Sequence, residues 1–331
     1  MILNKKIAVL GGGSWATALV SILSTNVDEL VWCMRNESAV QHIKQTQHNP
    51  NYLVGVSINT DKISVSSDFK TTCEHADVII LAIPSAFLHA ALGALDLDLS
   101  KKIFFSAVKG IIPEYNQIVG EYIQNQHKVP LHQIGVITGP CHAEEVALER
   151  LSYLTVACQD NLVAEFMSNQ LRCNFIKVIT SDDIYGTEYS AVLKNVVAVA
   201  AGIAHGLGYG DNFLSVLISN AIREIQRFLD VVHPINRDIK DSAYLGDLLV
   251  TAYSKFSRNR TFGTYIGKGY SVRAAQLDMN MIAEGYYAVK SIHEINKQHG
   301  VLMPITDAVY HIVYEKTSPR LRFKQLSDQL D

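Results

Sequence analysis

Residues 7–18 read Ile-Ala-Val-Leu-Gly-Gly-Gly-Ser-Trp-Ala-Thr-Ala, and this stretch decides the architecture of the first half of the chain. Four apolar residues in a row suit a strand buried on both faces. The following Gly11-Gly12-Gly13-Ser14-Trp15-Ala16 has the spacing G-x-G-x-x-A at a strand-to-helix junction. Gly11 permits a tight turn, Gly13 lets the backbone approach a pyrophosphate, and Ala16 lets helix pack closely on sheet. The free N–H groups of the first helical turn then face the anion. A dinucleotide is the ligand this turn fits.

Working outward, further short apolar runs at 30–34, 78–83, 103–108, 134–138 and 154–157 read as strands, with helical patterns between several of them, such as 15–24 and 86–95. Alternating strands and helices build a mostly parallel, doubly wound α/β sheet of the Rossmann-like kind. After about residue 185 the strand-like runs stop. Helical periodicity takes over at 188–204, 212–231, 245–253, 272–277, 283–298 and 305–314, and the charged end 316–331 reads as solvated. The expected organisation is a nucleotide-binding domain over 1–185 and an all-helical substrate-binding and catalytic domain over 186–331.

The second strand leads into Arg35, where a guanidinium suits the 2′-phosphate of NADP better than the 2′-hydroxyl of NAD; Glu37 close by keeps NAD open. Three other clusters carry chemistry. Lys109-Gly110 and Gly139-Pro140-Cys141-His142-Ala143 each follow a strand, at the strand ends where open parallel sheets place ligands. Lys194 is the one cation among alanines and valines, beside Asn195. An amine held in such surroundings loses hydration, and its pKa falls toward the range of a general acid/base. Finally, Gly246-Asp247-Leu248 leads toward Ser257-Arg258-Asn259-Arg260, a dense set of donors that suits a phosphate. Asp247 could support a lysine ammonium.

Composition narrows the classes. Of 331 residues, 29 are Lys or Arg and 32 Asp or Glu, a net charge of −3 mixed along the chain, which offers no field for nucleic acid or an anionic membrane. The start lacks a signal-peptide core, and no stretch reaches the roughly 18 uninterrupted apolar residues of a spanning helix, so a cytoplasmic protein is expected. Five scattered cysteines without a C-x-x-C pair argue for reduced thiols and no metal.

Taken in order, GGGSWATAL, AVKGI, TGPCHAEEV, VLKNVVAVAAGI, LGDLLVT, SRNRTFG and AEGYYAVK resemble the NAD(P)-dependent glycerol-3-phosphate dehydrogenases of bacteria over nearly the whole chain. The resemblance implies reversible reduction of dihydroxyacetone phosphate to sn-glycerol 3-phosphate for glycerophospholipid synthesis. It implies Lys194 as general acid/base, with Asn195 and Asp247 orienting it. It assigns Gly11, Gly13, Ser14, Trp15, Arg35, Lys109, Ala143, Arg258, Ile282 and Glu284 to NADP or NAD, and Lys109, Gly139, Cys141, Lys194, Asp247, Ser257, Arg258 and Asn259 to the phosphorylated substrate. Cys141 stands where the family usually has serine or threonine. A homodimer is expected. A β-hydroxyacid or ketopantoate-type reductase and a non-catalytic dinucleotide sensor are the competing readings.

Overall fold

The structure is a computed structural model, described here for residues 5–279 and 283–331. The chain divides into two compact units, one of Met1–Val108 with Gln117–Ile184, the other of Lys109–Asn116 with Tyr185–Asp331.

The first unit is built on eight strands: β1 (Ile7–Leu10), β2 (Leu30–Cys33), β3 (Ile63–Ser66), β4 (Val78–Leu81), β5 (Ile103–Ser106), then, after the two-residue strands β6 (Ile111–Ile112) and β7 (Gln117–Ile118), β8 (Ile134–Thr138), β9 (Ser152–Cys158) and β10 (Ile176–Ser181). The spatial order is β10-β9-β8-β5-β4-β1-β2-β3. The six strands from β3 to β8 run parallel, β9 is antiparallel to β8, and β10 is parallel to β9. Chain order reverses direction between β1 and β4, and at such a switch point the strand ends diverge and leave a crevice.

Helices α1 (Ser14–Leu23), α2 (Glu37–Thr46), α3 (Phe69–His75), α4 (Ser85–Gly93), α5 (Val119–His127), α6 (Ala143–Ala147) and α7 (Asn161–Leu171) complete this unit. β1 and β4 are buried at every residue, as parallel strands covered on both faces must be. All six strands expected from the apolar runs form. Strands β3 and β10 escaped that reading because they alternate apolar and polar residues, Ile-Ser-Val-Ser and Ile-Lys-Val-Ile-Thr-Ser, as befits the two ends of the sheet.

The second unit contains α8 (Ile184–Leu207), α9 (Asp211–Val232), α10 (Asp247–Tyr253), α11 (Arg258–Gly267), α12 (Val272–Asp278), α13 (Glu284–His299), α14 (Pro304–Val313) and α15 (Pro319–Ser327). Its centre is α8, whose Leu193, Val196, Val197, Val199 and Ile203 are at most 2% exposed. Each such side chain contributes about 1.5–3 kcal/mol by leaving water. Although Lys194 and Asn195 interrupt its apolar run, α8 is long and apolar enough to cross a membrane by length and composition; 83% of its most apolar window is buried inside the protein, as in the core helix of a folded domain.

Two helices were not expected. α15 lies in the charged end read as solvated, because Phe323 and Leu326, three residues apart, turn one face inward and are at most 2% exposed. α11 begins within the Ser257–Arg260 donor cluster, so those residues form a helix start and its first turn.

Candidate active site

The nucleotide-type turn is fixed by its own backbone. Gly11 has φ +132°, and a Cβ there would lie 2.3 Å from the Ala82 carbonyl oxygen at the end of β4, so no other residue fits. Its N–H donates to Cys33 O at 2.8 Å, and its carbonyl accepts from the Trp32 indole at 2.7 Å. Asn49 Nδ2 donates to Gly12 O at 3.1 Å and to Thr17 Oγ1 at 2.9 Å, and that hydroxyl donates to Gly13 O at 3.0 Å.

Gly13 is the extended residue before α1, and nothing lies within 4 Å of where its Cβ would be. Open space at that point leaves the backbone approachable from outside. No side chain caps α1 and no acid sits in its first turn, so the positive end of the helix dipole is left to a ligand. Ser14 is buried and Trp15 half-buried. These features fit a dinucleotide pyrophosphate.

Arg35 follows β2, exposed, with its guanidinium 5.6 Å from the centre of the Phe87 ring on α4. Glu37 is turned to other work: it accepts from Ser67 Oγ and from Gln41 Nε2 at 2.7 Å, and those bonds, Ser67 foremost, hold its carboxyl below the usual range. In the same unit, Gly139 ends β8 with φ +125°, where a Cβ would sit 2.6 Å from Tyr153 O. Cys141 is buried, and its thiol donates to that same carbonyl at 3.2 Å, while Ala143 opens α6.

The second unit gathers the ionisable groups. Lys194 on α8 is 3% exposed, and Asp247, the first residue of α10, is 1% exposed. Lys194 Nζ is in contact with Asp247 Oδ1, and Lys109 Nζ lies 3.8 Å from Asp247 Oδ2. One carboxylate therefore serves two ammonium groups. A π-helical turn, Ser242–Gly246, leads into Asp247, a feature frequent where a helix must place a functional side chain. Burial pulls the Lys194 pKa down from 10.5 to about 7, the Asp247 charge opposes the shift, and the nearby Lys109 charge adds to it.

Asn195 is held next to Lys194 by three successive hydrogen bonds. Its Nδ2 donates to Lys109 O at 2.7 Å, its Oδ1 accepts from Asn259 Nδ2 at 2.9 Å, and Asn259 Oδ1 accepts from the Gly285 N–H at 2.8 Å. Helices α8 and α11 meet through glycines on both sides. A Cβ on Gly202 would lie 2.1 Å from Arg260 O, one on Gly206 2.5 Å from Thr264 O, one on Gly263 2.1 Å from Val199 O and one on Gly267 2.4 Å from Ile203 O. Backbones this close bring Asn259, in the first turn of α11, to Asn195 on α8. The spacing G-x-x-x-G occurs on both helices and could have announced the contact from sequence; Gly285 carried no such signal.

The donor cluster at the start of α11 divides its labour. Ser257 Oγ accepts from Arg260 N at 3.3 Å and caps the helix, Asn259 is buried in the amide chain, and Arg260 Nη1 donates to Tyr253 O at 3.0 Å. Arg258 remains exposed at the first position of the helix. Glu284 is the first residue of α13, and Ile282 lies outside the described residues. The residues singled out from sequence thus form two sets: the glycine turn with Arg35, Gly139, Cys141 and Ala143 in the first unit, and Lys109, Lys194, Asn195, Asp247, Ser257, Arg258, Asn259 and Glu284 in the second.

Comparison with known proteins covers both parts of the chain. Residues 6–164 match the family model for the NAD-dependent glycerol-3-phosphate dehydrogenase N-terminus, and residues 183–324 match that for its C-terminus. The chain is 33% identical over 314 residues to glycerol-3-phosphate dehydrogenase [NAD(P)+] of Staphylococcus carnosus, covering 94% of each chain. It is 33% identical over 326 residues to the same enzyme of Staphylococcus aureus strain JH9, covering 98% of each. Among solved structures it is similar to glycerol-3-phosphate dehydrogenase from Coxiella burnetii, with a TM-score of 0.89 and 27% identity over 97% of this chain and 98% of that one. A dinucleotide turn, a buried lysine–aspartate pair and full-length matches to both halves lead to one conclusion: the chain belongs to the NAD-dependent glycerol-3-phosphate dehydrogenase family.

Proposed function

We propose that this protein catalyses the reversible, NAD(P)H-dependent reduction of dihydroxyacetone phosphate to sn-glycerol 3-phosphate, works in the cytoplasm as a homodimer, and supplies the headgroup precursor of glycerophospholipids. The observation that carries the reading is the buried Lys194–Asp247 pair with Lys109 beside it. When bound, the nicotinamide supplies the hydride that reduces the carbonyl carbon.

Lys194 supplies the matching proton. As negative charge grows on the substrate oxygen, an ammonium aimed there stabilises it and then donates N–H to form the hydroxyl. Asp247 keeps that ammonium oriented and stabilises its charged form. Lys109, sharing the same carboxylate, favours release of the proton by lowering the pKa of its neighbour. Arg258, exposed on the first turn of α11, offers a planar fork to the phosphate of the substrate, and the positive end of the helix dipole there favours the anion. Arg35 reads the 2′-phosphate of NADPH.

Initial rates with NADPH and a panel of carbonyl compounds test the proposal. Dihydroxyacetone phosphate should be reduced, and unphosphorylated dihydroxyacetone and 2-keto acids should be far poorer substrates. Preference for a 2-keto acid would indicate a hydroxyacid-type reductase, and tight NADPH binding without turnover of any carbonyl a sensor.

A further inference from the structure

Three glycines in succession leave the peptide planes after Gly11, Gly12 and Gly13 without side chains to fix them, so each plane turns over at little steric cost. A plane carries a donor on one edge and an acceptor on the other. An anion needs the N–H edges, and a carbonyl turned outward would repel it. In the structure a donor from the protein holds every one of these carbonyls. The Trp32 indole donates to Gly11 O at 2.7 Å, Asn49 Nδ2 donates to Gly12 O at 3.1 Å, and Gly13 O accepts from Thr17 N and from Thr17 Oγ1, both at 3.0 Å. Trp32 and Thr17 are 0% and Asn49 1% exposed, so water competes little for these bonds.

Asn49 is the donor that belongs to neither β2 nor α1; it lies between α2 and β3. Its Oδ1 accepts from Asn51 N at 3.0 Å and Tyr52 N at 3.3 Å, while its Nδ2 donates to Thr17 Oγ1 at 2.9 Å as well as to Gly12 O. Main-chain N–H groups can only donate and Gly12 O can only accept, so this amide has one orientation. Because the Thr17 hydroxyl accepts from Asn49, its own proton is left for Gly13 O. We propose that Asn49, with Trp32 and Thr17, is a positioning residue for dinucleotide binding: it keeps the carbonyls of the glycine turn toward the protein interior, so that the turn meets a pyrophosphate with N–H groups alone. This deepens the reading above and rests on it. Arg35 acts on the 2′-phosphate and distinguishes NADPH from NADH; Asn49 acts on the part the two share.

The experiment titrates NADPH and NADH against the wild type and Asn49→Ala by nicotinamide fluorescence, and ADP-ribose and adenosine 2′-phosphate by competition with NADPH. The substitution should raise the Kd of NADPH, NADH and ADP-ribose by a common factor on the order of tenfold, the scale of one or two lost hydrogen bonds. Adenosine 2′-phosphate, which has no pyrophosphate, should bind as before. A loss confined to NADPH, an equal loss for adenosine 2′-phosphate, or a lowered melting temperature with unchanged affinities would overturn the proposal. Binding is read without turnover. A wild type that binds both dinucleotides but reduces no dihydroxyacetone phosphate would therefore refute the proposed reaction while the role of Asn49 is still judged on affinity, and a wild type that binds neither would overturn both. If Asn49→Ala does not fold, Trp32→Phe, which removes the indole N–H from Gly11 O and keeps an aromatic ring, is read in the same way. Failure of both to fold would make these packing residues and overturn the proposal too.

Discussion

Lys194 sits in a contest between burial, which removes its proton, and Asp247, which keeps it. Burial wins, and the pKa falls to about 7. The sign for the reaction follows: reduction needs the ammonium, so its rate should fall as pH rises through about 7, while oxidation of the alcohol, which needs the free amine, should rise over the same range. Opposed pH profiles in the two directions check this. At Arg35 the expected outcome is selective. Removing a bond to a charged group costs about 1.5–3 kcal/mol, so Arg35→Ala should raise the KM for NADPH roughly ten- to hundredfold and leave NADH nearly untouched. These residues could be singled out in the sequence for a physical reason: a lysine among alanines and valines, or an arginine at a strand end, breaks the local pattern. What the pattern could not carry is partnership. Nothing in the spacing says that Asp247 meets Lys194, that Lys109 shares the carboxylate, or that the Cys141 thiol turns to Tyr153 O, because those contacts arise only when distant segments fold together.

At the scale of elements, the contact of α8 with α11 depends on the missing side chains of four glycines. A methyl group at Gly263 would lie 2.1 Å from Val199 O, and backbone cannot yield there as a flexible side chain could. Gly263→Ala should therefore destabilise the protein by several kcal/mol, beyond the ~1 kcal/mol usual for a point substitution, and lower activity by moving Asn259; thermal melts and kcat measured together check it. A second element is held electrostatically. Glu224 on α9 accepts from Ile305 N at 2.8 Å, Thr306 N at 3.0 Å and Thr306 Oγ1 at 2.7 Å, satisfying the first turn of α14. Burial raises its pKa from 4.5 to about 7 against those hydrogen bonds. A raised folded-state pKa gives stability that is fully present below 4.5 and is lost as pH rises through about 7. Glu224→Gln, which keeps an acceptor without the charge, should flatten the fall in melting temperature over that window. The elements themselves were legible where periodicity was strong, as in β1, β4 and α8. They were missed where short strands alternated, as in β3 and β10, or where charge masked two buried positions, as in α15.

At the scale of the molecule, the residues proposed for nucleotide binding at the glycine turn and those proposed for proton transfer lie in separate compact units, with the 109–116 segment grouped with the helical one. That interleaving was invisible to a linear reading, which expected one boundary near residue 185. Size-exclusion chromatography with light scattering should give about twice the 36.7 kDa chain mass if the homodimer forms. Separate units also predict separable functions: loss of the amine should spare the cofactor. The most direct test follows nicotinamide absorbance with dihydroxyacetone phosphate for the wild type and Lys194→Ala, with NADPH affinity measured alongside. The account predicts turnover in the wild type, a loss of 10²–10⁴-fold in the variant as for a missing general acid, and unchanged NADPH binding. Turnover that survives the substitution would contradict it.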